Sequence, residues 1–429
     1  MAAGWAGWAG WAVPSGSPIF LWETIPRVPV SLVSHRWVAR LRTLDVLALT
    51  ALLWFLAKFL RYAFPPLFGT FQSAYGVSNT ELGLLFSALM AGYAVMQFPS
   101  GALADRIGTV RVIVGGAVVA SVAALALFFS TSYALLVVAV VGIGVGTGAH
   151  KTVAITLLTS VYTERSGRAL GLMDFVGEFG GVLAPAAVVA VLAAALPWES
   201  LFLAAAVGGL CLAGAFAVRV PARLPDGNAD AGFDADDGFR SYLTAFTAPR
   251  FSAFAFVAIL LGLAISGITA FLPLFLESRA GIDASLAGLL YSAFFVVSAV
   301  QPVTGDLADR LGHLRVIAVL LALGIVALVV LVVAGVGPLT VGAATVVLGV
   351  GLHGPRPGRD AHLMNLIPDD VAGGTLGVVR TSMLGMSAVS PTIVGYLSDV
   401  ASFSIAFGAM AAVLALAMLV VTVLALTES

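Results

Sequence analysis

The sequence predicts an all-α membrane protein of twelve transmembrane helices, arranged as two pseudo-symmetric six-helix bundles. Two observations lead there. Of the 429 residues, 60% are hydrophobic and only 10% charged, and mean hydropathy is +1.06; soluble domains carry about 25% charged residues. Such a chain cannot cover its surface with polar groups, so the outside of the fold must face lipid. The second observation is a duplication. QFPSGALADRIGTVRVI, Gln97 to Ile113, returns as QPVTGDLADRLGHLRVI, Gln301 to Ile317. Each copy follows one long apolar segment and precedes another, which sets a short charged turn at the same edge of each half.

The elements follow in order. Residues 1–43 read as a cytoplasmic, poorly ordered arm: WAGWAGWA is low-complexity, Arg27, Arg36, Arg40 and Arg42 follow, and no long apolar core precedes a small-residue cleavage site. Residues 44–220 form the first bundle, with apolar segments near 45–70, 79–103, 110–130, 134–160, 167–194 and 199–220, each long enough for a span of about 20 residues. Residues 221–249 are a cytoplasmic linker, where Pro225, Gly227, Gly232 and Gly238 alternate with Asp226, Asp230, Asp234, Asp236 and Asp237, turn residues joined to self-repelling charge. Residues 250–426 form the second bundle, near 250–277, 284–305, 314–335, 338–360, 371–397 and 402–426. The duplication extends beyond the loop: LGLLFS at Leu82–Ser87 matches AGLLYS at Ala287–Ser292, and GRALGL at Gly167–Leu172 matches GGTLGV at Gly373–Val378. Both copies run in the same direction, so an axis along the membrane normal relates the halves.

Arginine placement sets the orientation. With the amino terminus inside, cytoplasmic loops receive Arg106, Arg111, Arg165, Arg168, Arg219, Arg223, Arg240, Arg250, Arg310 and Arg315, and outer loops essentially Arg279 alone. Both termini are then cytoplasmic, in a multi-pass protein of the plasma membrane. Cys211 is the single cysteine, so no intramolecular disulfide and no cysteine metal cluster forms; between Leu210 and Leu212 it reads as a buried, inert thiol. Neither lysine lies in a phosphate-binding loop and no His-Glu-x-x-His occurs. These features predict no enzyme, no cofactor, no metal and no nucleic-acid partner.

Charges inside the apolar segments point to function, because an ionisable group in hydrocarbon costs roughly 2.5–3.5 kcal/mol and persists where it faces a cavity or a partner. The chain has two lysines, Lys58 and Lys151, against nineteen arginines, and both lysines fall inside spans. Lys58 and Arg61 lie one turn apart on the first span, and His150 and Lys151 on the fourth. His353, Arg356, Arg359, Asp360 and His362 lie on the tenth. Their sum is markedly positive, which favours an anion: guanidinium forks match paired oxygens and lysine adds a point charge. Asp174 and Glu178 on the fifth span face the question of proton coupling. Asp174 and Arg380 occupy matching positions in the two repeats, which suggests an ion pair across the halves.

These motifs resemble the major facilitator superfamily. Gly101, Asp105, Arg106, Gly108 and Arg111 fit its Gly-x-x-x-Asp-Arg-x-Gly loop, and Gly305, Asp309, Arg310, Gly312 and Arg315 fit it again. Arg168 and Gly171 resemble its arginine–glycine element at the fifth helix. The resemblance covers about 45–426 and implies a secondary transporter working by alternating access. In the family the first, fourth, seventh and tenth helices line the central cavity, which places Lys58, Arg61, His150, Lys151, His353 and Arg356 there as candidate substrate contacts. Asp105 and Asp309 with their arginines would hold the cytoplasm-closed state, aided by close helix approach at Gly101 and Gly305. Arg61 with Pro65 and Pro66, and YAVMQFPSG at Tyr93–Gly101, resemble the organic-anion branches, whereas GTGAHKTVAITLLTS at Gly146–Ser160 resembles drug-exporter helices. The reading is therefore a monomeric carrier of a small organic or inorganic anion, coupled to protons. The alternatives are a proton-coupled drug or metabolite exporter and a non-transporting sensor of the same fold.

Overall fold

The computed structural model describes residues 30–224, 245–278, 282–333, 337–367 and 372–428. The first bundle contains α1 (Val30–Tyr62), α2 (Phe68–Tyr75), α3 (Asn79–Ile107), α4 (Thr109–Phe128), α5 (Tyr133–Val161), α6 (Ser166–Ala193) and α7 (Glu199–Arg219). The second contains α8 (Pro249–Glu277), α9 (Ala284–Val296), α10 (Gln301–Leu311), α11 (His313–Val332), α12 (Pro338–His353), α13 (Pro355–Asn365), α14 (Ala372–Val400) and α15 (Phe403–Glu428). No strand occurs among the described residues. Residues 43–429 make one unit by internal packing. The first turns of α1 fall inside the stretch expected to be an arm; residues 1–29, and 225–244 of the expected linker, lie outside the described residues.

Among the described residues, eleven spans are long and apolar enough to cross a membrane. Three of them are broken helices: α1 with α2, α9 with α10, and α12 with α13. The twelfth, α14, is as long at 29 residues but carries Arg380 and a run of Ser, Thr and Gly, so composition alone marks it weakly. It is the counterpart of α6 in the repeat and packs along α3 and α8.

The duplication is visible in the backbone. Gly108 and Gly312 take φ of +91° and +96°, a region open to glycine and strained for other residues. Each closes one helix, donating its N–H to Ala104 O at 2.8 Å or Ala308 O at 2.9 Å, and each begins the next. The helix starts repeat too. Ser78 caps α3 with a reciprocal bond from Glu81, and Asp283 caps α9 by accepting from the Leu286 N–H at 2.7 Å.

The halves meet at two seams related by the same symmetry. A Cβ at Gly83 of α3 would lie 2.4 Å from Pro391 O of α14; a Cβ at Gly288 of α9 would lie 2.4 Å from Val189 Cγ2 of α6, beside Pro185 O. Small residues let backbones touch where apolar burial supplies no drive between helices. Polar contacts reinforce the first seam. Thr392 donates its N–H and hydroxyl to Ser87 Oγ at 3.2 and 2.8 Å. Asp399 accepts from the Asn79 N–H at 3.1 Å and from the Thr80 N–H and hydroxyl at 2.7 and 2.6 Å, so a carboxylate of one half sits on a helix N-terminus of the other. All these contacts lie at the end opposite the Asp105 and Asp309 loops.

Two expectations are corrected. Gly101 and Gly305 are not tight: the nearest atoms to an added Cβ are Thr152 Cγ2 at 3.8 Å and Pro357 Cβ at 3.4 Å. Close approach within the first bundle comes instead at positions such as Gly144, where a Cβ would lie 2.3 Å from Leu89 O. Cys211 is exposed, not buried, because the apolar neighbours that suggested a core belong to a helix partly turned to lipid.

Gly83→Val should push α3 off α14 and destabilise the protein by about 1–3 kcal/mol, as overpacking does. Gly171→Ala, with no atom within 4 Å, should be neutral or stabilising by up to about 1 kcal/mol. Thermal unfolding of the two variants in detergent checks the contrast.

Candidate functional site

The site begins with helix breaks. Pro65 and Pro66 lack the N–H groups that would extend α1, and a 3-10 turn, Pro65–Leu67, replaces them. The span runs from Leu44 to Tyr75, so Arg61 lies about 26 Å along it at 1.5 Å per residue. Lys58 and Arg61 are therefore near mid-span. In the second bundle Pro355 ends α12 after His353, which puts His353 and Arg356 at a second mid-span break. Discontinuous helices leave backbone carbonyls and helix ends facing a cavity, and such points serve as binding sites in repeat-built membrane proteins.

Arg61 is buried at 5% exposure. Its guanidinium carbon lies 4.1 Å from the Tyr93 ring centre, 5.2 Å from Trp54 and 5.9 Å from Tyr62. Its Nε donates to Ala57 O at 3.3 Å. Ring faces contribute up to about 2 kcal/mol to a desolvated cation, and the C-terminal end of α1 adds a favourable dipole. Among the described residues no carboxylate pairs with Arg61.

The lysines differ. Lys58 donates to Glu178 Oε1, and Lys151 donates to Asp174 Oδ1. Both acids come from α6, which a Cβ at Gly180 would drive away, 2.3 Å from Phe55 O. Lys58 and Glu178 side chains are 11% and 26% exposed, whereas Asp174 is 51% exposed, so the second pair opens to surroundings and the first is enclosed. Trp54 joins them, with Lys151 Nζ 5.1 Å and Lys58 Nζ 5.7 Å from its ring. The markedly positive sum expected from sequence is thus offset by Glu178 and Asp174. Arg61 and Arg356 keep the uncompensated charge.

His150 is a packed residue. Its Nε2 lies 3.0 Å from Thr50 O and its ring stacks on Trp54 at 6.1 Å and 13°. His353 is wholly buried, and neither ring nitrogen has a hydrogen-bond partner among the described residues; Phe294 and Phe295 lie 4.8 and 5.7 Å away. Half-buried Arg356 is within electrostatic reach of Lys58 and Glu178, so α13 approaches the first bundle here. Tyr62 meets Phe295 across the halves at 4.5 Å.

The expected pair of Asp174 with Arg380 is not formed. Asp174 is held by Lys151 of its own bundle, and Arg380 is exposed and near enough to repel Lys151. Asp105, Arg106 and Arg168 are exposed. Arg111 Nη1 donates to Ile107 O at 3.1 Å, Arg310 pairs with Asp306 at 3.0 Å, and His313 lies 3.3 Å from Asp309. Arg359 pairs with Asp360 at 2.7 Å. Sequence reasoning passed over Trp54 and Asp399. The spacing of Trp54 to Lys58 and Arg61, four and seven residues, was the available signal for the first.

Two bundles of long apolar helices with charged groups at mid-span breaks define a multi-pass helical membrane protein. The sequence model of the Major Facilitator Superfamily matches residues 50–383 and 281–429, and the chain belongs to that family. Among its relatives are a probable sulfoacetate transporter of Cupriavidus necator, 30% identical over 37% of this chain and 37% of the relative. A multidrug resistance protein of Shewanella oneidensis is 31% identical over 32% and 35%. A 4-hydroxybenzoate transporter of Pseudomonas putida is 32% identical over 34% and 33%. The matched stretch spans about a third of each relative's length. Among solved structures, a bacterial homologue of the lysosomal transporter Spinster, inward-facing and unoccupied, superposes with a TM-score of 0.74 at 16% identity, covering 89% of this chain and 97% of the other. The nucleoside transporter NupG gives 0.72 at 12%, covering 88% and 98%. At these identities the superpositions establish the shared fold.

Removing one partner of an enclosed ion pair strands the other, at about 3–5 kcal/mol, whereas removing both is close to neutral. Lys58→Met should therefore destabilise strongly and Lys58→Met with Glu178→Leu should recover most of the loss. A double-mutant cycle of thermal unfolding measures this, and additive losses would exclude the coupling.

Proposed function

We propose that this chain is a secondary transporter of small organic anions, working by alternating access and driven by protons. The observation that carries the reading is Arg61: a buried guanidinium at a mid-span helix break, walled by Trp54, Tyr62 and Tyr93, with no carboxylate partner among the described residues. An incoming carboxylate or sulfonate supplies that partner, and Arg356 reaches the same region from the second bundle. Two of the relatives are named for sulfoacetate and 4-hydroxybenzoate, both anions. A multidrug relative favours the exporter reading, which needs an unpaired acid to hold a cationic drug; here Asp174 and Glu178 are engaged by lysines.

The arginine bias sets both termini in the cytoplasm of a plasma-membrane protein, and the seams at Gly83 and Asp399 then close the outer side. On this reading the arrangement is inward-facing. Passage to the other state would break the Asp399 and Thr392 contacts and bring the Asp105 and Asp309 loops into use. Protons would act at Glu178, whose protonation frees Lys58.

The test is thermal stabilisation of the purified protein by 4-hydroxybenzoate, sulfoacetate and a lipophilic cationic drug, because a ligand that binds the folded state raises its stability. The anions should stabilise. Arg61→Ala should weaken them about 10–150-fold, the equivalent of a charged hydrogen bond at about 1.5–3 kcal/mol, and Arg61→Lys should restore little because it loses the fork. Stabilisation by the drug alone would overturn the anion reading.

A further inference from the structure

At the end of the second bundle that carries the Asp309 loop, a cleft of about 280 Å³ is lined by Leu311, Gly312, His313, Arg315, His362 and Ala425. It is separate from the mid-span site and independent of the function proposed above. We propose that this cleft binds a phosphate group, carried by an anionic phospholipid or free in solution.

The duplicated loop supplies an internal control. Its copies share one backbone, with Gly108 and Gly312 at φ of +91° and +96°, but differ in side chains. Thr109 stands where the second copy has His313. In the first copy Arg111 turns back and donates to Ile107 O at 3.1 Å. In the second, Arg315 is exposed and makes no hydrogen bond or ion pair among the described residues. His313 Nε2 is buried without a hydrogen bond, although Asp309 Oδ1 is 3.3 Å away, because the approach is misaligned. The neighbouring cations are already satisfied: Arg310 by Asp306 and Arg359 by Asp360. Arg315 and the His313 ring are thus the donors left to a ligand.

The chemistry fits phosphate. A guanidinium fork takes two phosphate oxygens, and the imidazole N–H takes a third. The first turn of α11, a 20-residue helix with no side-chain cap, adds unpaired N–H groups and a positive dipole end. The cleft also has an apolar shoulder, with Leu311 55% exposed and Ala425 also on the lining. In a membrane protein such a shoulder beside a basic cleft suits a headgroup whose acyl chains run along the bundle.

The experiment is thermal unfolding of the full chain in detergent, with phosphatidylglycerol against phosphatidylcholine, and sodium phosphate against sodium chloride at equal ionic strength. Phosphatidylglycerol or phosphate should raise the midpoint by about 2 °C or more. Arg315→Gln and His313→Thr should each remove most of the rise, whereas Arg111→Gln should keep it. A rise with inorganic phosphate assigns a site for free phosphate; a rise confined to phosphatidylglycerol assigns the headgroup. No rise with either, or equal losses in Arg111→Gln and Arg315→Gln, overturns the site. Should His313→Thr lower the ligand-free midpoint, the exposed Arg315→Gln decides.

Discussion

A charge at mid-membrane must be compensated, and in this protein the approach of α6 to α1 governs how that is done. Gly180 lets the two backbones touch, which delivers Glu178 to Lys58. The same helix delivers Asp174 to Lys151 on α5. A residue larger than glycine at that point would separate acids from bases, leaving four charges in a poorly solvating medium. Arg61 is handled differently. Rings and the end of a broken helix stabilise it without neutralising it, so its charge is still available to a ligand. Compensation of the lysines leaves the uncompensated charge at Arg61 and Arg356 in place of a diffuse cluster.

The location of these charges bears on how the halves move. Both lysine pairs join helices of the first bundle, so they travel with it as a body. They fix its internal shape and do not bridge the seam. Among the described residues, Arg356 and His353 of the second bundle reach Glu178 and Lys58 electrostatically, and Arg380 reaches Lys151, without forming an ion pair. Polar bonds across the α3–α14 seam are those of Asp399 and Thr392. These are exposed or partly exposed, and each exchanges readily with water. The seam therefore combines tight backbone contact at Gly83 and Gly288 with polar bonds that separate at little cost, properties suited to a joint that opens.

Much of the architecture was legible in the sequence, and the reasons are physical. Lipid demands long apolar runs, so spans are visible without knowledge of packing. Positive φ demands glycine, so the turn at Gly108 and Gly312 leaves a repeated mark. The α14 span was read as an apolar segment near 371–397 like the others, although its composition marks it more weakly than the eleven. Pairing was less legible. Lys58 and Glu178 are 120 residues apart, and which acid meets which base depends on helix rotation. Matching positions in the repeat suggested Asp174 with Arg380, but symmetry relates positions and does not bring them into contact. The break at Pro65 and Pro66, which extends the span to Tyr75, was not read from the run of apolar residues.

The departures from symmetry carry the chemistry. Pro185 and Pro391, Gly83 and Gly288, and Gly108 and Gly312 repeat because both halves must solve the same packing problem. Lys58 and Arg61 have no cationic counterparts in the second bundle, whereas Lys151 corresponds to Arg356, by the same offset that relates Gly144 on Leu89 O to Gly349 on Phe294 O. Thr109 and His313 diverge on an otherwise shared loop. A symmetric site would present equal charge to both faces of a substrate. This one presents a cation in an aromatic wall on one side and a half-buried guanidinium beside an apolar-packed imidazole on the other. On the proposed function such a site would orient a ligand with its anionic group toward Arg61, and orientation of that kind would follow from the places where the two copies stopped being alike.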